Sequence, residues 1–281
     1  MDTHTPYFYR LVPVLDYIRS HYNEPIAIKE LEQISFYSYR SLQRIFKSLF
    51  GETIGSYQKR LRLENAAKLL HYSDKSITDI ALEVGYADLQ AFRKAFKKQY
   101  NIAPSSKRPE LLQLLNQYQQ QLQYPQQDIQ ALDAKKIQLP PIRVVFKTHQ
   151  GTYDNQQIAV VWEDLFRTYP ELTRAQEYGL IFDDIDITHP DICRYDACLS
   201  CPKDWTAQQS PTKTIGANTY MRFLHQGSYD NIDVTYNTIF GGWLLENEGN
   251  FSTGAIIEHY YYNQNHTTNE ADFLTHIYIP I

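Results

Sequence analysis

With 281 residues, the chain is long enough for two domains, each with its own hydrophobic core. It contains no apolar run of about 18 residues, and its N-terminal segment has no apolar signal core. The three cysteines, Cys193, Cys198 and Cys201, are too few for a disulfide framework. We therefore expect a soluble, cytoplasmic protein with no membrane partner.

The net charge of −5 is divided unevenly along the chain. Residues 1–108 carry 17 Lys and Arg against 11 Asp and Glu, a balance of +6. Residues 109–281 carry 10 against 21, a balance of −11. A basic segment followed by an acidic one is typical of a DNA-binding domain joined to a domain with a different partner.

The character of the sequence changes twice. The first part is predicted to be helical throughout, because apolar residues such as Leu11, Leu15 and Ile18 recur at helical spacing. It is followed by a segment with nine glutamines within 113–130, which indicates a fraying helix that runs into a linker. The predicted organisation is a DNA-binding domain at 7–108, a glutamine-rich linker at 109–139 and a second domain at 140–281.

The second domain is predicted to be α+β. Short segments rich in β-branched and aromatic residues indicate strands: IRVVFKTH, TYMRFLHQ, AIIEHYYY and FLTHIYIPI. Between them, Gln157–Phe166 and Asp233–Leu245 have helical periodicity. We expect a largely antiparallel sheet with helices packed on it.

Each half of the chain contains an internal repeat. LEQISFYSYRSLQRIFK (31–47) parallels IALEVGYADLQAFRKAFK (80–97), and HQGTYDN (149–155) recurs as HQGSYDN (225–231). Both halves are therefore expected to be doubled modules with approximate two-fold symmetry. Because His149 and His225 occur in both copies of the motif, we assign them a structural role in the turn and no catalytic role.

The segment Ser76–Lys98 has the pattern of a helix-turn-helix. Gly85 supplies a tight turn after a short apolar helix, and Asp88 can cap the helix that follows. That second helix is predicted to bury Phe92 and Phe96. Its outer face would then present Gln90, Arg93, Lys94 and Lys97.

The first repeat is expected to present Tyr39, Arg40, Gln43, Arg44 and Lys47 in the same way. Such side chains suit the major groove of double-stranded DNA, because Arg pairs with guanine edges, Gln with adenine and Lys with phosphate. We expect base contacts from Arg40, Gln43, Arg44, Gln90 and Arg93. On the residues alone, a helical bundle with a solvated basic face is the alternative.

These motifs resemble the DNA-binding domain of the AraC/XylS family. The similarity extends from FKSLFG (46–51) through a linker helix to SITDIALEVGY (76–86) and AFKKQYNIAP (95–104). The linker helix contributes Tyr57, Arg62, Leu63, Ala66, Leu69 and Leu70. The resemblance implies two helix-turn-helix units in one chain and a role in transcription, usually activation, with RNA polymerase as a partner. Three positions depart from the family pattern: Glu32, where a small residue is usual, and Phe36 and Asn101, where glycine is common.

The doubled HQG[ST]YDN motif resembles the GyrI-like (Rob-type) effector-binding domain, which also occurs in multidrug-sensing regulators. Other similar segments are GLIFDD (179–184), CRYDAC (193–198), GGWLLE (241–246) and IIEHYYY leading to IYIPI. The resemblance spans 142–281. It implies two β-α-β-β modules facing each other across a pseudo-dyad, with a cleft for a small-molecule effector that contains Glu258.

The residues near Glu258 indicate the kind of effector. Period-two alternation along the strand puts Ile256, Glu258, Tyr260 and Tyr262 on one face. A carboxylate beside tyrosines suits a cationic, partly aromatic molecule, which charge pairing and ring faces both attract. The other expected walls are Trp162, Trp243, Tyr229 and Tyr236. On the residues alone, the solvated face of a strand is an alternative position for Glu258.

Neither a metal nor a cofactor is expected. Cys198 and Cys201 have CxxC spacing, but the sequence holds no second CxxC to complete a zinc site. The acidic run of Asp183, Asp184 and Asp186 follows a predicted strand, and the family resemblance makes it an ordinary turn.

The sequence therefore predicts a ligand-responsive, DNA-binding transcription regulator that is not an enzyme. One alternative is a hydrolase of small electrophilic compounds, in which Glu258 and a tyrosine would be a minimal acid–base set. No glycine-rich phosphate loop and no GxSxG motif supports an enzyme. A second alternative is a constitutive DNA-binding protein with a vestigial cleft.

Overall fold

The structure, a computed structural model, describes residues 5–106, 128–172, 174–185, 187–202, 205, 212–244, 247 and 251–281. The chain divides into two compact units, Met1–Pro109 and Glu110–Ile281. Most of the predicted glutamine-rich linker at 109–139 lies outside the described residues. Its end is predicted wrongly, because Lys135–Leu139 forms a strand that pairs within the C-terminal sheet. No helix within the described ranges is long and apolar enough to cross a membrane.

The described part of the N-terminal unit is helical, as predicted. Its helices are α1 (Thr5–Ser20), α2 (Ile28–Ser35), α3 (Tyr39–Phe50), α4 (Ile54–Tyr72), α5 (Ile77–Glu83) and α6 (Leu89–Tyr100). The first helix-turn-helix comprises α2 and α3, the second comprises α5 and α6, and α4 joins them. The apolar positions of the sequence repeat are fully buried in both: Leu31, Leu42, Phe46, Ile80, Phe92 and Phe96.

Both helices of the second helix-turn-helix begin at a capping side chain. The Ser76 hydroxyl accepts a hydrogen bond from a backbone N–H in the first turn of α5. The Asp88 carboxylate accepts from two backbone N–H groups in the first turn of α6, so the predicted cap is confirmed. Such a cap stabilises a helix by about 1 kcal/mol. At the end of α6, Asn101 adopts a left-handed φ of 60°, which asparagine tolerates better than most residues.

The first helix-turn-helix accommodates both of its unusual residues where α2 meets α3. Phe36 ends α2 with a φ of 56°, in the region where glycine is favoured, and its side chain is 87% exposed. The Glu32 carboxylate lies at the start of α3, where its Oε1 accepts a hydrogen bond from the backbone N–H of Tyr39 at 2.7 Å. A carboxylate at a helix N-terminus is favourable, because it satisfies a free N–H group and complements the helix dipole.

The loop between α1 and α2 connects the two helix-turn-helix units. The Arg62 guanidinium, on α4, donates to the carbonyls of Tyr22, Glu24 and Gly85 at 2.7, 2.8 and 2.9 Å. Gly85 has a φ of 86°, and a Cβ atom there would overlap the backbone of Asn23. The turn of the second unit therefore rests directly on the loop that leads into the first.

The C-terminal unit is built on one eight-stranded sheet. Its strands are β1 (Lys135–Leu139), β2 (Ile142–Gln150), β3 (Glu177–Ile181), β4 (Arg194–Ser200), β5 (Thr212–Ile215), β6 (Asn218–Gln226), β7 (Ile256–Tyr262) and β8 (Leu274–Pro280). They lie in the order β1-β6-β8-β7-β3-β4-β2-β5, and every pair is antiparallel. Helix α7 (Asn155–Thr168) follows β2, and helix α8 (Ile232–Thr238) follows β6. The predicted doubled, antiparallel α+β architecture is confirmed.

The order of the strands across the sheet is symmetric. Counted from either edge, the strands of one repeat appear in the same order as the equivalent strands of the other repeat. The first β-α-β-β module is β2-α7-β3-β4, and the second is β6-α8-β7-β8. The strand before each module pairs with the other module, because β1 pairs with β6 and β5 pairs with β2. The modules thus exchange their edge strands, and β3 and β7 meet at the centre of the sheet.

Cross-strand pairing locates the pseudo-dyad. The equivalent histidines His149 and His225 lead through the strand pairings to equivalent positions on the two central strands. These pairings make Gly179 on β3 equivalent to Glu258 on β7. These two residues also pair directly with each other. The pseudo-dyad therefore passes between a glycine and a glutamate.

A β-bulge interrupts β7 just after Tyr260. Tyr260 pairs with Thr275, but Tyr262 pairs with Leu274, so β7 has one extra residue at this point. Neighbouring residues of β8 point to opposite faces of the sheet, so Tyr260 and Tyr262 do as well. The prediction that Tyr262 shares the face of Glu258 is wrong, because the extra residue reverses the alternation.

We expect Gly85→Ala to destabilise the N-terminal unit by about 2 kcal/mol or more, because it combines an unfavourable positive φ with a collision against Asn23. Gly55→Ala is the matched control, since a Cβ atom at Gly55, in the first turn of α4, meets nothing within 4 Å. It should stabilise the unit by about 0.5–1 kcal/mol. Urea unfolding of both variants measures the difference, and equal effects would contradict the close approach of Gly85 to Asn23.

Candidate nucleic-acid interface and effector site

α3 and α6 present side chains at matching positions. The spacing 40-43-44-47 on α3 recurs as 90-93-94-97 on α6, away from the buried phenylalanines of each helix. The exposed members of the two sets are Arg40, Arg44, Lys47, Gln90, Arg93, Lys94 and Lys97. Each helix therefore has one polar, basic face.

Two of the predicted DNA-contacting residues are engaged within the protein. Tyr39 and Gln43 are half-buried, and the Gln43 amide nitrogen donates to the Tyr39 hydroxyl at 2.7 Å. The Gln43 amide oxygen accepts from the backbone N–H of Ile54, at the start of α4, at 3.3 Å. The structure thus gives Gln43 a role in holding α3 against α4, which the sequence pattern did not indicate.

In the C-terminal unit, the Glu258 carboxylate lies at the pseudo-dyad and is only 5% exposed. The Tyr236 hydroxyl, from α8, donates to Oε1 at 2.8 Å, and the Tyr260 hydroxyl, from the same strand, donates to Oε2 at 2.6 Å. Both carboxylate oxygens therefore have a hydrogen-bond donor. The position is not the solvated strand face that was the alternative from the sequence.

The hydrogen bonds continue from Glu258 into the first module. The Tyr195 hydroxyl on β4 lies 2.9 Å from the Tyr260 hydroxyl, and the Trp162 indole N–H on α7 donates to Tyr195 at 3.0 Å. Because the Tyr260 hydroxyl uses its one hydrogen on Glu258, it accepts from Tyr195, which in turn accepts from the indole. The hydrogen bonds therefore run from Trp162 through Tyr195 and Tyr260 to Glu258. This chain of hydrogen bonds joins α7 to the carboxylate, which Tyr236 of α8 contacts from the other side.

Gly179 makes room for this chain. A Cβ atom at Gly179 would lie 2.6 Å from the Tyr195 hydroxyl and 2.7 Å from the Tyr260 hydroxyl. Any larger residue would displace one of the two tyrosines. Sequence reasoning singled out neither Gly179 nor Tyr195, although both lie within segments of the family resemblance. The alternation of side chains along β4, if applied to Tyr195, would have placed it on the helix-covered face.

The remaining predicted aromatic walls divide into two groups. The rings of Trp162 and Tyr229 both pack edge-on against Tyr260, at centroid distances of 5.6 and 5.2 Å. Trp243 instead packs against Phe223 at 4.9 Å and Phe251 at 6.1 Å. The structure therefore brings Trp162, Tyr229, Tyr236 and Tyr260 together around Glu258, and it places Trp243 in a second aromatic cluster.

Burial sets the electrostatics of this site. Loss of solvent raises the pKa of the Glu258 carboxyl, although the hydrogen bonds from Tyr260 and Tyr236 act in the opposite direction. Burial, and then the charge of Glu258, raises the pKa of the Tyr236 and Tyr260 hydroxyls, which therefore stay protonated as donors. Among the described residues, the hydrogen-bond donors to this buried carboxylate are thus neutral hydroxyls and not cations.

The weaker sequence motifs have structural roles. All three cysteines are buried, and the Asp183 carboxylate forms a buried ion pair with Arg194. His149 and His225 each place Nε2 near the backbone carbonyl three residues further on, at 3.0 and 3.2 Å, as suits a turn. In the part of the chain that the structure describes, no three His, Cys, Asp or Glu side chains are grouped to hold a metal.

Two family descriptions match the chain: a helix-turn-helix domain over residues 31–109, and a GyrI-like small molecule binding domain over residues 133–281. The basic faces of α3 and α6 fit the first, and the doubled module around Glu258 fits the second. Together they define a transcription regulator with a helix-turn-helix DNA-binding domain and a small-molecule binding domain. The chain belongs to the AraC/XylS family and carries a C-terminal GyrI-like effector-binding domain.

Curated relatives match about a third of the chain. The probable transcription factor PqrA of Proteus vulgaris is 45% identical over 83 residues, which are 30% of this chain and 68% of that protein. The regulatory protein SoxS of Salmonella typhimurium is 33% identical over 98 residues, which are 35% of this chain and 92% of that protein. An uncharacterised conserved protein from Listeria innocua, a solved structure, is 13% identical and covers 52% of this chain and 91% of that chain, with a TM-score of 0.41. At that TM-score, the likeness adds nothing to the family assignment.

We expect Glu258→Gln to raise the thermal midpoint of the C-terminal unit at neutral pH. The pKa of Glu258 is raised in the folded state, so folding is favoured when the carboxyl is protonated, and this stability is lost as pH rises through the folded pKa. The neutral amide avoids that loss, and each kcal/mol regained would raise the midpoint by roughly 2–4 °C. The difference between wild type and variant should disappear near pH 4, about the ordinary carboxyl pKa.

The matched control is Glu171→Gln, since Glu171 is exposed. Its thermal midpoint should follow the wild type at every pH. A lower midpoint for Glu258→Gln at neutral pH would mean that the ionised carboxylate stabilises the fold, contrary to the argument from burial.

Proposed function

We propose that the chain is a sequence-specific transcription activator whose effector is a small cationic, aromatic molecule bound in a cleft at Glu258. The observation that carries the proposal is the carboxylate buried at the pseudo-dyad, where the hydrogen bonds it accepts within the described residues come from tyrosine hydroxyls. A charge removed from water is costly unless it is paired. A cationic effector would supply the missing counter-charge.

The groups around Glu258 favour a cation that is large and aromatic. Both carboxylate oxygens already accept a hydrogen bond, so a ligand gains most from its charge and little from N–H groups of its own. Trp162, Tyr229 and Tyr260 offer ring faces and edges within one cluster. A cation against an aromatic face gains roughly 0.5–2 kcal/mol.

The DNA-binding part of the proposal rests on the basic faces of α3 and α6. Two recognition helices in one chain can enter major grooves one helical turn, about 34 Å, apart. We assign base contacts to Arg40, Arg44, Gln90 and Arg93, and phosphate contacts to Lys47, Lys94 and Lys97. Tyr39 and Gln43 stay candidates that would first have to give up their internal hydrogen bonds.

The proposed domains are 7–108 for DNA and 140–281 for the effector, with 109–139 between them. The last residues of that segment, Lys135–Leu139, form β1 and belong to the sheet of the effector domain. Activation would proceed through RNA polymerase, as is usual in the family. The effector would bind without being converted, because the Glu258 site offers a carboxylate and hydroxyls that hold a charge, and the curated relatives are regulators.

The effector site can be tested with tetraphenylphosphonium, an aromatic cation, against the neutral and similarly shaped triphenylphosphine oxide. At 100 times its dissociation constant, the cation should stabilise the fold by about 2.7 kcal/mol, whereas the neutral compound should not. Glu258→Gln should remove the gain. Because only the ionised carboxylate attracts the cation, affinity should rise with pH through the raised pKa of Glu258 and then level off.

An unchanged response of Glu258→Gln would exclude this carboxylate as the cation site. If the fold responded to neither compound, the constitutive regulator with a vestigial cleft would be the better description. Recovery of chemically altered ligand after incubation would favour the hydrolase alternative.

The DNA interface can be tested on an operator selected from random duplexes with the full chain. Arg44→Ala should weaken binding by about 1–3 kcal/mol and relax the preference at one base position. Lys47→Ala should instead weaken binding to all duplexes alike. It should also reduce by about 1 the slope of the logarithm of the binding constant against the logarithm of salt concentration, as expected for the loss of one phosphate contact. Lys75→Ala is the control, because Lys75 pairs with Glu83 away from the predicted face. If Arg44→Ala weakened all duplexes equally, its assigned role would be a phosphate contact.

A further inference from the structure

A second buried carboxylate lies on the same face of the sheet as Glu258. Glu177, on β3, is 7% exposed and precedes Gly179 by two residues. Since Gly179 pairs directly with Glu258, Glu177 is the diagonal cross-strand neighbour of Glu258, with a Cα–Cα distance of about 7–8 Å. Its pairing with Leu199, a member of the core beneath α7, independently places Glu177 on the helix-covered face.

The surroundings of the two carboxylates are aromatic. The Tyr229 hydroxyl lies 3.5 Å from the side-chain oxygen of Gln264, in the turn after β7. Burial, and then the charges of Glu177 and Glu258, raise the pKa of this hydroxyl. The Tyr229 ring packs on Tyr260, whose hydroxyl donates to Glu258.

Within the described ranges, the hydrogen bonds to Glu177 come from amides and not from a basic side chain. Its two oxygens accept from the side-chain amides of Asn263 at 2.8 Å and Asn265 at 2.5 Å. Both amides come from the turn after β7, beyond the bulge. Neutral amides orient the carboxylate without neutralising it, so its negative charge is still available to a ligand.

We propose that Glu177 forms a second cation-binding subsite beside Glu258. The effector then carries two positive charges, one held at each carboxylate, and an aromatic linker that packs against Tyr229 and Tyr260. This inference rests on the proposed effector site at Glu258. It goes further by making the first module contribute a charge of its own. A dication offsets the desolvation of both carboxylates, whereas a monocation leaves one of them uncompensated.

The test uses the full chain and two probes of the same shape. Methyl viologen is a rigid biaryl with two cationic nitrogens, and N-methyl-4-phenylpyridinium is the matching biaryl with one. Calorimetric titration should show methyl viologen binding at least about tenfold more tightly to the wild type. Glu177→Gln should bring methyl viologen to about the affinity of the monocation and leave the monocation unchanged. Glu258→Gln should weaken both probes by about tenfold or more.

A control separates the charge of Glu177 from its role in holding the turn. Asn265→Ala removes one amide donor but keeps the carboxylate, so the preference for the dication should persist. If Asn265→Ala lost that preference as Glu177→Gln does, or if Glu177→Gln weakened both probes equally, Glu177 would be only an anchor for the turn. The thermal midpoint of each variant shows whether the fold is intact.

The outcomes also distinguish this inference from the proposed function. If the monocation binds and depends on Glu258, but the dication binds no more tightly, the second subsite is overturned and the effector site at Glu258 stands. If neither probe binds the wild type, both proposals are overturned.

Discussion

The buried carboxylate of Glu258 connects the two modules of the C-terminal unit through hydrogen bonds. Glu258 is removed from water at the point where the two modules meet, and an unpaired charge there would cost several kcal/mol. Two tyrosine hydroxyls reduce that cost, and a third tyrosine and a tryptophan extend the network into the first module. The positions of α7 and α8 on the sheet are thus tied to one acidic group.

Internal symmetry adds a constraint of its own. Residues that pair across the pseudo-dyad have Cβ atoms about 4.5–5.5 Å apart, and two carboxylates at that distance would repel each other. One module therefore supplies the acid and the other a glycine. Gly179 meets a second requirement too, because the Tyr195 and Tyr260 hydroxyls occupy the space that its side chain would need. The two modules differ at this position, where identical acidic residues would be incompatible.

Much of the domain and module organisation could be predicted from the sequence, because internal repeats and the periodicity of apolar residues indicate it. The doubled apolar pattern around Phe46 and Phe96 predicts both helix-turn-helix units, and the doubled histidine motif predicts two modules. The predictions for the face of Tyr262 and for Gln43 as a freely exposed side chain failed, because both depend on contacts between segments distant in the sequence. The bulge after Tyr260 is set by the register of β7 against β8, and Gln43 is half-buried because α4 begins beside it. No periodicity in one segment carries that information.

The N-terminal unit meets a different requirement, because the proposed reading of successive grooves needs a fixed spacing between the basic faces of α3 and α6. Arg62 bonds three carbonyls, from the loop before α2 and from the turn before α6, and Gly85 lets those two backbones touch. A change in the spacing of α3 and α6 would have to break these contacts together. An effector can shift an equilibrium only by its differential affinity for two states. Because the Arg62 and Gly85 contacts hold the internal geometry of the DNA-binding unit, we expect regulation to act on this unit as a whole and to leave that geometry unchanged.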